Sequence, residues 1–195
     1  MEIIPSNNGL KLENRIFSFT GDRWGGKTML ASIFASFDDY KKVYCNYDLK
    51  LFKPVTRFKD FDLYSKLDFD DISKKLLIFD EGGINANARN FQGKLNKLLS
   101  YFIFVSRKFN IDCLFITQDF DTFEKNIRRQ TNFLFEISNN LPSHLNVEIW
   151  KMKRGEQVAF FGEYEIKALE IMQNQKITYD TRDLSGFEDK LKDFL

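Results

Sequence analysis

Histidine is almost missing from this chain, with one among 195 residues, and cysteine is scarce, with two, Cys45 and Cys113, far apart in sequence. So little histidine and cysteine excludes a disulfide framework and a zinc site, and fits a reducing cytoplasm. Proline occurs three times and glycine ten times, and no repeat, low-complexity tract or linker-like stretch divides the chain. An excess of either charge is also absent: 29 basic and 28 acidic residues leave a net charge of +1. The overall field therefore announces no nucleic-acid partner, although local clusters still could. No apolar run has the length of a membrane span, and the first residues lack the basic, apolar, small-residue order of a signal peptide. The expectation is a soluble protein without stable membrane insertion. Phenylalanine is abundant instead, at 22 residues, which suits either core packing or an AT-rich genome. The length supports one well-buried α/β domain over 1–195.

Against this background one stretch has specific chemistry. Gly21-Asp22-Arg23-Trp24-Gly25-Gly26-Lys27-Thr28 fits the phosphate-binding pattern G-x-x-x-x-G-K-[ST] at every fixed position. Glycines let successive backbone N–H groups turn inward around a polyphosphate, and the following helix offers its positive N-terminal end. The candidate nucleotide-binding set runs from Gly21 through Met29. Lys27 is placed to reach the β- and γ-phosphates, and the Thr28 hydroxyl to ligate Mg²⁺. The flanks agree: 15–20 is aromatic and β-branched, as a strand requires, and Leu30, Ile33, Phe34 and Phe37 recur at helical spacing.

Around this unit, 1–14 is an irregular lead-in with a short strand at 10–12, and 42–47 is a second, parallel strand. Residues 48–73 suggest loop with short helices near 60–66 and 69–74; Lys50, Lys53, Arg57 and Lys59 form its basic half, a solvated surface unless they meet nucleic acid. Residues 75–79 are nearly all apolar and run into Asp80-Glu81, as expected of a central strand whose carboxyl end meets ligand. There Asp80 suits Mg²⁺ and Glu81 suits polarising the attacking water, unless the pair merely caps the next helix. A glycine-rich loop at 82–88 leads to a helix expected at 90–109, with a strand as the competing reading of its apolar part. The strand 111–118 ends at Gln118, whose amide can donate to phosphate and accept from water. A helix is expected at 120–129, a strand at 131–138, a turn at 139–142 and an antiparallel hairpin from 147–152 and 157–161. A strand at 176–179 and a charged helix at 185–195 complete the reading, with 145–181 assigned to edge hairpin and last strand.

Taken together, the loop at Gly21–Thr28, the strand ending Asp80-Glu81, Arg107 ahead of the strand ending Thr117-Gln118, and the tail at Tyr179-Asp180-Thr181 resemble the FtsK–HerA superfamily of DNA-pumping ATPases. Within it they look like the genome-packaging ATPases of double-jelly-roll, internal-membrane viruses, with the zonula occludens toxin-like assembly ATPases of filamentous phages as cousins. The resemblance implies a RecA/FtsK-like P-loop NTPase, a three-layer sandwich with a central, mostly parallel sheet and antiparallel strands added at an edge. It implies ATP and Mg²⁺ as cofactors, double-stranded DNA as substrate, a homo-oligomeric ring, and a viral capsid or portal vertex as partner. It places the protein in the host cytoplasm or on the virion. It also implies that Arg107 is an arginine finger acting on a neighbour's nucleotide, with Arg128 and Arg129 as alternatives. Pore-facing lysines would come from Lys50, Lys53, Lys59, Lys94 and Lys97. Two features depart from the family pattern: Asp22-Arg23-Trp24 is bulkier than usual, and Gly82-Gly83 follows the acidic pair. The want of a membrane-spanning stretch is expected to set the chain apart from the membrane-anchored phage type. A motor for phage extrusion or plasmid transfer, and a nucleotide-switched binding module, remain the alternative functions.

Overall fold

The computed structural model describes residues 15–58, 63–80, 103, 106–123, 125–141 and 144–180. Its centre is strand β1 (Ile16–Thr20), buried along its whole length, followed by the loop and by helix α1 (Lys27–Ala35). Next come β2 (Lys42–Cys45), β3 (Asp48–Lys50), β4 (Val55–Arg57), the short helix α2 (Leu63–Lys66) and β5 (Lys75–Phe79). A 3₁₀ turn at Arg107–Phe109 precedes β6 (Ile111–Ile116), and another at Phe120–Thr122 precedes helix α3 (Lys125–Gln130). The chain closes with β7 (Phe133–Leu141), β8 (His144–Lys153), β9 (Glu156–Lys167), helix α4 (Ala168–Asn174) and β10 (Thr178–Asp180).

Eight strands form one sheet in the order β4-β2-β5-β6-β1-β7-β8-β9, and β10 pairs with β3 in a second, two-stranded sheet. Pairing is parallel from β4 to β7 and antiparallel from β7 to β9. The expected mostly parallel sheet with antiparallel strands at one edge is the sheet found. Strand β6 lies between β1 and β5, so its tip falls between the phosphate-loop strand and the acidic strand.

Alternation along β1 divides the core. Phe17 and Phe19 join α1, Ile78, Leu114, Phe135 and Val147 on one face, whereas Ile16 joins Leu77, Phe79, Phe115, Phe123 and Ile127 on the other. Phenylalanine fills both layers: ring centroids are 5.0 Å apart for Phe17 and Phe34, 4.7 Å for Phe19 and Phe135, and 5.2 Å for Phe79 and Phe115. Edge-to-face and offset contacts of this kind add to simple burial.

Several expectations are corrected. No helix forms at 69–74; Asp71 N–H donates to Asp68 Oδ1 and Ser73 N–H to Asp71 Oδ1, local bonds that compete with helical ones. The buried Lys75 ammonium gathers the carbonyls of Asp71, Ser73 and Phe109 there. Residues 48–50 and 55–57 are strands rather than loop. The helix expected at 120–129 is a 3₁₀ turn, whose N-cap Asp119 accepts from Asp121 N–H, followed by α3. Strand β7 runs on to Leu141, into the expected turn, and helix α4 was not anticipated. The last strand, expected at 176–179, spans Thr178–Asp180 and pairs antiparallel with β3. The readings at 1–14, 59–62, 81–102 and 181–195 lie outside the described residues. Among the described residues no helix is long and apolar enough to cross a membrane.

Candidate nucleotide site

Gly21 opens the loop at φ 142°, and a Cβ there would lie 2.0 Å from the Ile137 carbonyl oxygen of β7. The loop is therefore held against β7 by a contact only glycine permits. Gly26 caps α1 at φ 85° with no side-chain cap, and no acidic residue occupies the first turn. The first N–H groups of α1 thus face the loop with no side chain of α1 competing for them. Lys27 Nζ donates to Gly21 O at 2.9 Å and to Asp22 O at 2.6 Å, folding its ammonium over the loop. Trp24 takes φ 67° and is 85% exposed, with the Arg23 guanidinium 5.7 Å from its ring centroid. The bulk of Asp22-Arg23-Trp24 is accommodated by pointing the indole outward, at the cost of a left-handed conformation that side chains rarely adopt.

Thr28 Oγ1 donates to Asp80 Oδ2 at 2.7 Å, so the two expected metal ligands meet although they come from α1 and the end of β5. A hydroxyl and a carboxylate set side by side beside a cradle of glycines fit Mg²⁺ bound with a polyphosphate. Glu81, expected next to them, lies outside the described residues. Gln118 follows β6 and shares a cleft of about 540 Å³ with Thr20, Gly21 and Asp22. Strand order alone explains this meeting, because β6 is the direct neighbour of β1.

Arg107 behaves differently. It is exposed on the 3₁₀ turn at the amino end of β6, and a strand of that length puts it roughly 20 Å from the tip that carries Gln118. It is thus at the far end of the sheet from the loop of its own chain. Arg128 bonds Asp121 at 2.9 Å, and Arg128 and Arg129 sit in the last turn of α3, just ahead of β7. Lys53, expected to face a pore, instead donates to the Phe37 and Tyr40 carbonyls after α1. Lys50 is exposed on β3, while Lys59, Lys94 and Lys97 lie outside the described residues.

One contributor was missed in the sequence. Asn46, just past β2, accepts from Asp80 N–H through Oδ1 at 2.8 Å and donates through Nδ2 to Asp80 O at 3.0 Å. Its side chain adds one rung to the ladder beyond the end of β2 and fixes the peptide that carries Asp80, the expected metal ligand. The signal was an amide at a strand's carboxyl end, the same signal that singled out Gln118. Burial raises the Tyr179 phenol of β10 above its ordinary pKa, and the Asp80 charge adds to the effect. Groups that orient metal ligands typically cost 10–100-fold in metal affinity or activity when removed. Asn46→Leu is accordingly expected to raise the Mg²⁺ concentration needed for half-maximal turnover by about tenfold or more, with nucleotide affinity without Mg²⁺ unchanged. A magnesium titration of ATP turnover reads this directly.

No protein-family model matches the chain, and no curated protein matches it. Solved structures do. The N-terminal domain of zonular occludens toxin from Neisseria meningitidis aligns over 88% of this chain and 95% of its own, at 19% identity and a TM-score of 0.53. The genome-packaging NTPase B204 of Sulfolobus turreted icosahedral virus 2, in complex with sulfate, aligns over 80% and 96%, at 12% identity and a TM-score of 0.52. The same NTPase in complex with AMPPCP aligns over 87% and 98%, at 11% identity and a TM-score of 0.51. These are the two kinds of protein to which the motifs pointed, and at such identities what they share with this chain is the P-loop NTPase fold.

Proposed function

We propose that the chain is an Mg²⁺-dependent ATPase that moves double-stranded DNA, acting as the packaging motor of a viral capsid. The observation that carries this reading is the convergence of the phosphate loop, the Thr28–Asp80 pair and Gln118 at the carboxyl ends of three adjacent strands. Bound Mg²⁺ and ATP would supply a polarised γ-phosphoryl group and a good leaving group. In the chain itself, the loop amides and Lys27 hold phosphate, Thr28 and Asp80 hold the metal, Glu81 positions water, and Gln118 senses the γ-phosphate. Arg107, out of reach of its own loop, would act on the nucleotide of the next subunit in a homo-oligomeric ring. The capsid or its portal vertex is the proposed docking partner, reached in the host cytoplasm. The likeness to a genome-packaging NTPase over nearly all of that chain supports packaging. The likeness to the zonular occludens toxin domain supports a second reading, a related motor for phage extrusion or DNA transfer.

Turnover tests the proposal. ATP hydrolysis is expected to rise on adding double-stranded DNA of any sequence, and DNA affinity to fall steeply with salt as counterions are released. Turnover indifferent to DNA at every salt concentration, in an oligomeric preparation, would instead indicate a nucleotide-switched binding module.

A further inference from the structure

The outer strands carry a charge pattern that the nucleotide site does not use. Glu136 of β7 lies opposite Glu148 of β8, and Glu148 lies opposite Glu163 of β9. Like charges directly across a sheet destabilise it. The acidic character nevertheless continues: Asp22, Asp119 and Asp121, the last ion-paired with Arg128, line the same cleft as these glutamates, and no lysine or arginine lines it. Glu136 and Glu163 are exposed and Glu148 is half-buried. The neighbouring part of β9 exposes apolar surface, with Val158 at 50%, Phe160 at 53% and Phe161 at 39%. An acidic row flanked by exposed aromatic side chains suits an interface with a cationic rim and an apolar centre.

We propose that this face receives a second copy of the chain, and that the exposed Arg107–Lys108 turn of that copy seats against the glutamate row beside the phosphate loop. The sign of the charge selects the occupant. The row repels the phosphates of DNA, and among the described residues no group of three or more histidine, cysteine or carboxylate side chains is arranged to hold a metal ion. The chain carries a complementary patch of its own, since Arg107 and Lys108 are both exposed at the opposite end of the sheet. Acidic face and basic turn are different regions of one molecule, so their union is head-to-tail and closes into a ring when the rotation permits. A cation lodged between the glutamates and a polyphosphate is attracted from both sides, so nucleotide should tighten assembly, and assembly should tighten nucleotide binding equally. This inference rests on the ring reading above and adds to it the receiving surface.

Sedimentation velocity with Mg²⁺ and a non-hydrolysable ATP analogue tests it, using wild type, Glu148→Lys/Glu163→Lys and Arg107→Glu/Lys108→Glu. Wild type should assemble, each reversal variant alone should remain monomeric, and an equal mixture of the two should assemble again. In the mixture the reversed face of one meets the reversed turn of the other, and the unaltered pair meets at the next junction. Glu148→Gln/Glu163→Gln, a milder change that keeps side-chain size, should weaken assembly by about tenfold and flatten its salt dependence. Reversal variants that assemble like wild type would overturn the docking face, and so would a mixture that stays monomeric. A wild type that remains monomeric with nucleotide and DNA at every concentration would overturn the ring reading itself, and the docking face with it.

Discussion

Arg107→Ala is expected to slow ATP turnover by roughly 10³–10⁵ while leaving ATP affinity nearly unchanged, because a finger stabilises charge that develops only in the transition state. Its place at the amino end of β6, away from its own phosphate loop, leaves the neighbouring subunit as the route to a nucleotide. A merely structural arginine in a 3₁₀ turn would behave otherwise, altering stability or solubility and leaving turnover within a few-fold of wild type. Mixing separates the two. Arg107→Ala subunits keep Glu81, and Glu81→Gln subunits keep Arg107, so a mixed ring contains junctions at which both groups are whole. Each variant alone should be inactive and the mixture should regain hydrolysis, read by phosphate release at concentrations where sedimentation shows the oligomer intact. An Arg107→Ala protein with wild-type turnover would remove Arg107 from the reaction and direct the same experiment to Arg128 and Arg129.

Lys27→Ala and Glu81→Gln should fail in different ways. The Lys27 ammonium is already folded over the loop by the Gly21 and Asp22 carbonyls, so little rearrangement precedes phosphate binding. Charge-assisted hydrogen bonds contribute about 1.5–3 kcal/mol each. Losing those to two phosphates should weaken ATP binding by roughly 10²–10⁴-fold. Glu81→Gln should instead bind ATP normally and hydrolyse it roughly 10²–10⁴-fold more slowly, the usual worth of a positioned base. Isothermal titration paired with phosphate release distinguishes the defects; a Glu81→Gln protein with near-normal turnover would refute the role given to Glu81.

What was legible in the sequence was whatever announces itself locally. Strands β1, β5 and β6 are mostly apolar because they are buried along their whole length, and the polar residues just past β5 and β6 marked Asp80 and Gln118. The phosphate loop has fixed residue types because backbone geometry leaves no choice at Gly21 and Gly26. Asn46 escaped because its amide, visible at the carboxyl end of β2, braces a strand encoded over thirty residues downstream, and the sequence does not say which strand it meets. Strands β3 and β10 are three residues each and hold one another across most of the chain, so neither looks persuasive alone. The full length of β9 was hidden by register shifts against β8 and by Gly162 at φ 145°, which break the inward and outward alternation. At 69–74, side chains able to form a helix were diverted by Asp68, Asp71 and Lys75 into bonds that end it.

The position of β1 has a consequence for how the chain is made. Its neighbours in the sheet are β6 and β7, both encoded far downstream, while β2, the next main-sheet strand to emerge from the ribosome, lies three places away, beyond β6 and β5. Contacts so distant in sequence carry a loop-closure cost that slows folding. Nascent chains that stop before β7 would have a phosphate loop with nothing to rest against, since Gly21 abuts the Ile137 carbonyl. During synthesis, competence to capture nucleotide should therefore arise late and abruptly, once β7 has cleared the exit tunnel, and an early-emerging motif would be among the last parts of the molecule to take its working shape.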